Sequence, residues 1–226
     1  MKIAGFQKVT LLDYPGEVAC IIFTAGCNFR CPYCQNSALI SLSSAQTGLY
    51  DEIMGYLHKR QGLLDGVVIT GGEPLLHDDI AYFIKDIKEI GYKVKLDTNG
   101  SFPDRMKELV ENKLVDYIAM DIKAVPERYD AASGRTFTEN LRESIDFLKK
   151  TSLECEFRTT IAGGIHELSD ILDIARFLST EKPYFIQSYK KSDGVLSPYG
   201  LYSFPEEEIK SIAEKAAEYC PNIMVR

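Results

Sequence analysis

The chain has 226 residues, 45% hydrophobic and 26% charged, a composition able to bury a sizeable core. Its formal net charge is −7 and its pI about 5.1, which disfavours generic binding to nucleic acid or to an anionic membrane. Apolar runs such as Val18–Phe23 and Gly66–Ile69 are too short to span a bilayer. The opening MKIAGFQKVTLLDYPG lacks the long apolar region of a secretory signal, so a cytoplasmic protein with no membrane partner is expected.

Short β-branched runs alternate with amphipathic stretches. In chain order, a strand is predicted at Val18–Phe23, a helix at Leu49–Lys59, a strand at Gly66–Thr70 and a helix at Asp79–Ile90. A strand at Lys93–Asp97, a helix at Arg105–Asn112, a strand at Tyr117–Asp121 and a helix at Thr138–Lys150 follow. Then come a strand at Glu154–Ile161, a helix at Ser169–Leu178, a strand at Tyr184–Ser188, a helix at Glu206–Tyr219 and a short terminal run, Asn222–Arg226. About six β–α units predict parallel strands with right-handed crossovers, short of the eight of a closed barrel. The expected fold is therefore α/β: a partial (β/α)6 TIM-like barrel with parallel strands, open on one side. One domain is expected over 1–226, with a core of about 17–190 and a C-terminal extension at 191–226. In such folds chemistry collects at the C-terminal ends of the strands.

The six cysteines are Cys20, Cys27, Cys31, Cys34, Cys155 and Cys220. A disulfide framework is not expected in a reducing compartment. Cys27-Asn-Phe-Arg-Cys31-Pro-Tyr-Cys34 follows the first predicted strand with the spacing C-x3-C-x2-C. Three thiolates with no fourth nearby would leave one iron of a four-iron cube without a protein ligand, as a substrate-binding cluster requires. Structural zinc is the competing reading. It would want a fourth Cys or His, for which Cys155 is a candidate. A redox C-x-x-C at Cys31 and Cys34 lacks a thioredoxin-like context. Cys20 and Cys220 read as small buried hydrophobes.

Other motifs fall at predicted strand ends. Gly71-Gly72-Glu73-Pro74 is first of all a turn, but its glycines also permit close backbone approach to a ligand. Asp97-Thr98-Asn99-Gly100 has the composition of an Asx turn, and Asp121-Ile-Lys123 that of a surface ion pair. At the active ends of adjacent strands, the two aspartates are positioned to share a cation or to meet polar groups of a ligand. Arg158 is either a fixed cation at the mouth or the partner of a neighbouring acid. His166, in Gly-Gly-Ile-His, reads either as a ligand-side group or, preferably, as an exposed loop histidine. His58 and His77 show no partner pattern.

CNFRCPYC resembles the cysteine signature of the radical S-adenosylmethionine superfamily, and GGEP resembles its cradle for the methionine amino group. The resemblance implies a [4Fe–4S] cluster on Cys27, Cys31 and Cys34, whose open iron holds S-adenosylmethionine. One electron then yields methionine and a 5′-deoxyadenosyl radical. It implies cofactor contacts from Tyr33, Asn36, Gly71, Gly72, Glu73, Pro74, Thr98, Asn99, Lys123 and Arg158, Tyr33 lying against the adenine. In activases of glycyl radical enzymes, segments similar to DTNG and D-x-K form a monovalent-cation site, which maps onto Asp97, Thr98 and Asp121. No acid–base pair is implied, since the cofactors carry the chemistry.

The segment Gly5–Gly16, with LLDYPG, together with LDTNG, AMDIKA and FRTT, is similar to activating proteins of anaerobic ribonucleoside-triphosphate reductase. Gln35 stands where many relatives place histidine, and KKSDGVLSPYG has no clear counterpart. The implied reaction is hydrogen abstraction from a glycine α-carbon of a partner reductase, with reduced flavodoxin or ferredoxin as electron donor. Activation of another glycyl radical enzyme of the pyruvate formate-lyase type, a small-molecule radical enzyme such as 7-carboxy-7-deazaguanine synthase, and a zinc-stabilised binding module are the alternatives.

Overall fold

Each predicted strand forms, and two more flank the series. In the computed structural model, which describes residues 1–226, the strand order is the chain order, from β1 to β8. Contacts within the chain define two units, residues 1–28 with 38–119, and residues 29–37 with 120–226.

The first unit contains β1 (Ile3–Thr10), β2 (Ala19–Thr24), β3 (Gly66–Gly71), β4 (Lys93–Thr98) and the start of β5 (Tyr117–Asp121). β2, β3 and β4 are parallel, in register through Ala19, Gly66 and Lys93. Val67, Val68, Ile69, Val94 and Leu96 are fully buried, as expected of strands covered on both faces. The crossover helices are α1 (Leu49–Lys59), α2 (Ile80–Ile90) and α3 (Pro103–Glu111). α2 buries Ile80, Phe83, Ile84 and Ile87, the i, i+3, i+4, i+7 stripe of an amphipathic helix, at about 1.5–3 kcal/mol per side chain. α3 starts two residues earlier than predicted because Pro103 occupies its first turn, where no N–H is needed.

β1 carries no clear strand signal. It pairs antiparallel with β2 through two register shifts, and the irregularities break the alternation that marks a strand in sequence. After it, Tyr14 of the LLDYPG segment is buried with Ala19, Ile21, Val68, Tyr117 and Ala119. A Cβ on Gly66 would lie 2.9 Å from the Tyr14 ring. The motif thus seals the core where β2 and β3 begin, at the opposite ends of those strands from Cys27 and Gly72.

The second unit holds the end of β5 with β6 (Glu154–Ile161), β7 (Tyr184–Ser188) and β8 (Ile223–Val225). Ile122 N–H donates to the Arg158 carbonyl, and β6, β7 and β8 are parallel. Its helices are α4 (Tyr129–Ser133), α5 (Glu139–Lys150), α6 (Ser169–Leu178) and α7 (Glu206–Ala216). The terminal run is therefore a strand, reached through α7. Cys155 and Cys220 pack in this unit with their Sγ atoms on the carbonyls of Leu148 and Ala175. Burial pushes the Cys20 thiol in β2 up to about 12, so these three cysteines behave as apolar filling. No helix is long and apolar enough to cross a membrane.

Candidate active site

Within the first unit, the loop after β2 carries Cys27 and Asn28. Its backbone is held by Gly26 N–H on Leu39 O at 2.7 Å and Cys27 N–H on Ile40 O at 3.1 Å. His77, 8% exposed, donates Nε2–H to the Ala25 carbonyl at 2.9 Å. Burial lowers the pKa of this histidine, which favours the neutral ring. Gly72 lies so close to the loop that a Cβ on it would be 2.0 Å from Gly26 O. The N–H groups of Gly72 and Glu73 are spent on Thr24 O and Gly26 O. What GGEP retains for a ligand is carbonyl oxygen, an acceptor suited to an ammonium group rather than to a carboxylate.

Glu73 is fully buried, and its carboxylate ties β3 to β4. Oε1 accepts from Leu75 N–H at 3.0 Å and from Thr98 Oγ1–H at 2.8 Å, while Oε2 accepts from Asn99 N–H at 2.7 Å. Pro74 follows at the start of a short 3-10 turn that Glu73 caps. Asn99 Nδ2 donates to Asn28 Oδ1, Asn28 Nδ2 to Ser101 Oγ, and Ser101 Oγ–H to Asn99 Oδ1, at 2.6–2.8 Å. This closed ring fastens the cysteine loop to the end of β4. Glu73, Thr98 and Asn99 therefore have their polar groups engaged in fixing the backbone.

Asp97 is paired with Lys95, whose side chain is 2% exposed and whose Nζ lies 5.8 Å from the Tyr117 ring centroid. The charge expected to hold a monovalent cation already has an ammonium partner from its own strand, and Thr98 Oγ1–H points to Glu73. In the second unit Asp121 is likewise paired, with Arg158 Nε at 2.9 Å and Lys123 Nζ at 3.0 Å. The side chains present do not fit a cation site at these residues, because protein cations occupy the carboxylates.

The same unit carries the rest of the cysteine loop. Arg30 N–H donates to Ser133 O at the end of α4, and Cys34 N–H to Cys31 O at 3.0 Å. Leu196 N–H and Ser197 N–H bond to the carbonyls of Cys34 and Pro32, and Gln35 Nε2 donates to Lys190 O. KKSDGVLSPYG is thus a strap along the backbone of the cysteine loop. Tyr33 is buried, its ring edge-on to His166 at 5.5 Å. Asn36 is exposed.

Burial tends to raise the Asp121 carboxyl, but Arg158 and Lys123 outweigh it and hold the group down at about 2. Burial opposes charge on Lys123 too, yet Asp121, Cys31 and Tyr33 keep its ammonium well above the usual range. Burial raises the Cys31 thiol, and Lys123 pulls it back toward the thiolate that metal ligation requires. The hydroxyls of Tyr33 and Tyr189 are buried without a hydrogen-bond partner. Buried polar groups are normally paired, so these two phenols are exceptions within the unit.

Each unit carries donor types that suit the expected cofactors: the Cys27 thiol and the GGEP carbonyls in the first, and in the second the Cys31 and Cys34 thiols with a cation beside Cys31 and Tyr33 before Cys34. Sequence reasoning missed Lys95, His77 and the buried state of His166. The two histidines carry no local pattern because the carbonyls they bond lie 52 and 43 residues away, whereas Lys95 pairs with Asp97 two residues along its own strand.

Residues 21–178 match the Radical SAM superfamily. A Methanocaldococcus jannaschii protein, MJ1227, named as a glycyl-radical enzyme activating enzyme, is 32% identical over 99% of this chain and 95% of its own. The Listeria monocytogenes pyruvate formate-lyase-activating enzyme is 27% identical over 96% of each chain. Among solved structures, Streptococcus suis SuiB bound to precursor peptide SuiA superposes with a TM-score of 0.70 over 91% of this chain and 48% of that one, at 15% identity. The chain spans about half the length of SuiB, and at this identity the likeness establishes the fold alone. With those matches added to the cysteine loop and the strand-end motifs, the chain belongs to the radical S-adenosylmethionine superfamily, whose cofactors are a [4Fe–4S] cluster and S-adenosylmethionine, and within it to the enzymes that activate glycyl radical enzymes.

Proposed function

We propose that this enzyme generates the glycyl radical of an anaerobic ribonucleoside-triphosphate reductase. The observation that carries the reading is the segment Gly5–Gly16, which resembles activating proteins of that reductase. Cys27, Cys31 and Cys34 hold the cluster. Tyr33 packs against the adenine, and the Gly71–Pro74 carbonyls accept from the methionine ammonium. Lys123 and Arg158 supply positive charge for its carboxylate or for ribose oxygens. Asn36 and Asn99 contribute at the edges, and Glu73 and Thr98 act by holding β3 and β4.

Held by Cys27, Cys31 and Cys34, the cluster would supply the electron for cleavage of S-adenosylmethionine to methionine and the 5′-deoxyadenosyl radical that would take hydrogen from the partner's glycine. The protein contributes positioning and exclusion of water. Reduced flavodoxin or ferredoxin is the proposed donor, and the cytoplasm the proposed location.

The test mixes anaerobically reconstituted, reduced protein with S-adenosylmethionine and the reductase, and reads electron paramagnetic resonance. A glycyl doublet is expected. Formation of 5′-deoxyadenosine without a doublet overturns the target. A doublet on a formate lyase instead would move the assignment to that partner, and turnover of a small molecule alone would move it to a synthase of the 7-carboxy-7-deazaguanine type.

A further inference from the structure

His166, expected on an exposed loop, is 3% exposed. Nδ1 accepts from Ala162 N–H at 3.2 Å, so Nε2 carries the proton and donates to the Lys123 carbonyl at 2.8 Å. The ring also lies edge-on to Tyr33. Burial lowers the pKa of His166, in keeping with a neutral ring that accepts at Nδ1.

The turn that presents this histidine is sterically determined. A Cβ on Gly163 would lie 2.3 Å from the Tyr202 ring, and one on Gly164, at φ +89°, would lie 2.4 Å from Gly200 O. His166 N–H returns to Ala162 O at 2.8 Å. Arg128 bonds the Ile165 carbonyl at 2.9 Å and Asp170 at 2.7 Å, bracing the loop from its other side. A buried side chain with both ring nitrogens paired, on a loop braced at several points, has one orientation.

We propose that His166 is a positioning residue for cofactor binding, fixing the main chain of Lys123 through Nε2 and the ring of Tyr33 through edge contact. One imidazole thereby sets the ammonium that follows β5 and the aromatic inside the cysteine loop. The inference rests on superfamily membership and not on the identity of the partner reductase, so its test uses no partner protein.

The test compares wild type, His166→Phe and His166→Gln after cluster reconstitution. It reads iron content, melting temperature, and the change in the reduced-cluster paramagnetic spectrum as S-adenosylmethionine is titrated. His166→Phe keeps a ring beside Tyr33 and deletes both hydrogen bonds. It should retain wild-type iron and weaken S-adenosylmethionine about tenfold, while His166→Gln, with both a donor and an acceptor, stays within about threefold. Unchanged titration in a fully loaded His166→Phe overturns the proposal, as does a Gln variant no better than Phe.

Should His166→Phe fail to fold or to load iron, His166→Asn decides in two backgrounds. Its shorter amide reaches one partner only. The proposal requires it to weaken binding more in wild type than in Lys123→Met, and equal factors in both overturn it.

Discussion

Glu73 and Asp121 are both carboxylates at the ends of parallel strands, and their surroundings differ in kind. Glu73 is fully buried and takes its bonds from two main-chain N–H groups and one hydroxyl. Asp121 is partly exposed and takes its bonds from a guanidinium and an ammonium. Neutral donors to a carboxylate hold the backbone in place. Cationic donors cancel the charge and leave two positive groups aimed by it. The first arrangement builds a frame, and the second gathers two cations around one carboxylate. Two histidines repeat the pattern, His77 fastening Ala25 before the first cysteine and His166 fastening Lys123.

The largest effect tests which groups carry the chemistry. Cys31→Ala should abolish cluster retention and S-adenosylmethionine cleavage, read as iron content and 5′-deoxyadenosine yield. The same variant should leave the melting temperature of cluster-free protein within a few degrees of wild type. A large stability loss without iron would mean that Cys31 belongs to the frame.

Next in size is the frame itself. Glu73→Ala leaves Leu75 N–H, Thr98 Oγ1–H and Asn99 N–H without their acceptor, at about 1–3 kcal/mol for each buried group left unpaired. Urea unfolding should show most of that loss before any cofactor is added. Stability near wild type with weakened S-adenosylmethionine binding would instead make Glu73 a ligand-contacting group, and the contrast with Asp121 would fall.

Lys95→Met removes the internal ammonium from Asp97. The melting temperature in choline chloride should drop on the order of 5 °C. Sodium or potassium chloride should recover part of it in the variant alone, measured by scanning calorimetry at equal ionic strength. A cation-specific shift in wild type would show that an ion binds despite Lys95.

The smallest effect is in pH. The Asp121 pKa is lowered from 3.8 to about 2, so its paired state contributes stability that is complete above about pH 4 and is lost as pH falls toward 2. The stability gap between wild type and Asp121→Asn should therefore narrow across that window in urea titrations. A gap constant down to pH 2 would mean that the pairs with Arg158 and Lys123 do not stabilise the fold.

Much of this was legible beforehand. Val67–Ile69 is β-branched and Ile80–Ile87 repeats at helical spacing, so six strands and the principal helices follow from local chemistry. The spacing of Cys27, Cys31 and Cys34 announces an incomplete thiolate set, and Asp121 with Lys123 at i, i+2 lies on one face of extended backbone. Local periodicity and short spacing are the information a chain carries without folding. β1 escaped because its bulges erase alternation. The bracing role of Glu73 escaped because two of its three partners are 25 and 26 residues away, and that of His166 because the carbonyl it holds is 43 residues away. Whether such a group meets a ligand or the frame depends on which strand ends are neighbours, and burial then sets its charge and tautomer. Local chemistry along the chain specifies the strand–helix alternation and the incomplete thiolate loop, and the motif resemblance implies its cofactors. That the glutamate of GGEP braces the backbone, that the expected cation ligands pair with lysine and arginine, and that a loop histidine is a buried clamp follow from the folded chain alone, since long-range hydrogen bonds and desolvation exist only once it has closed on itself.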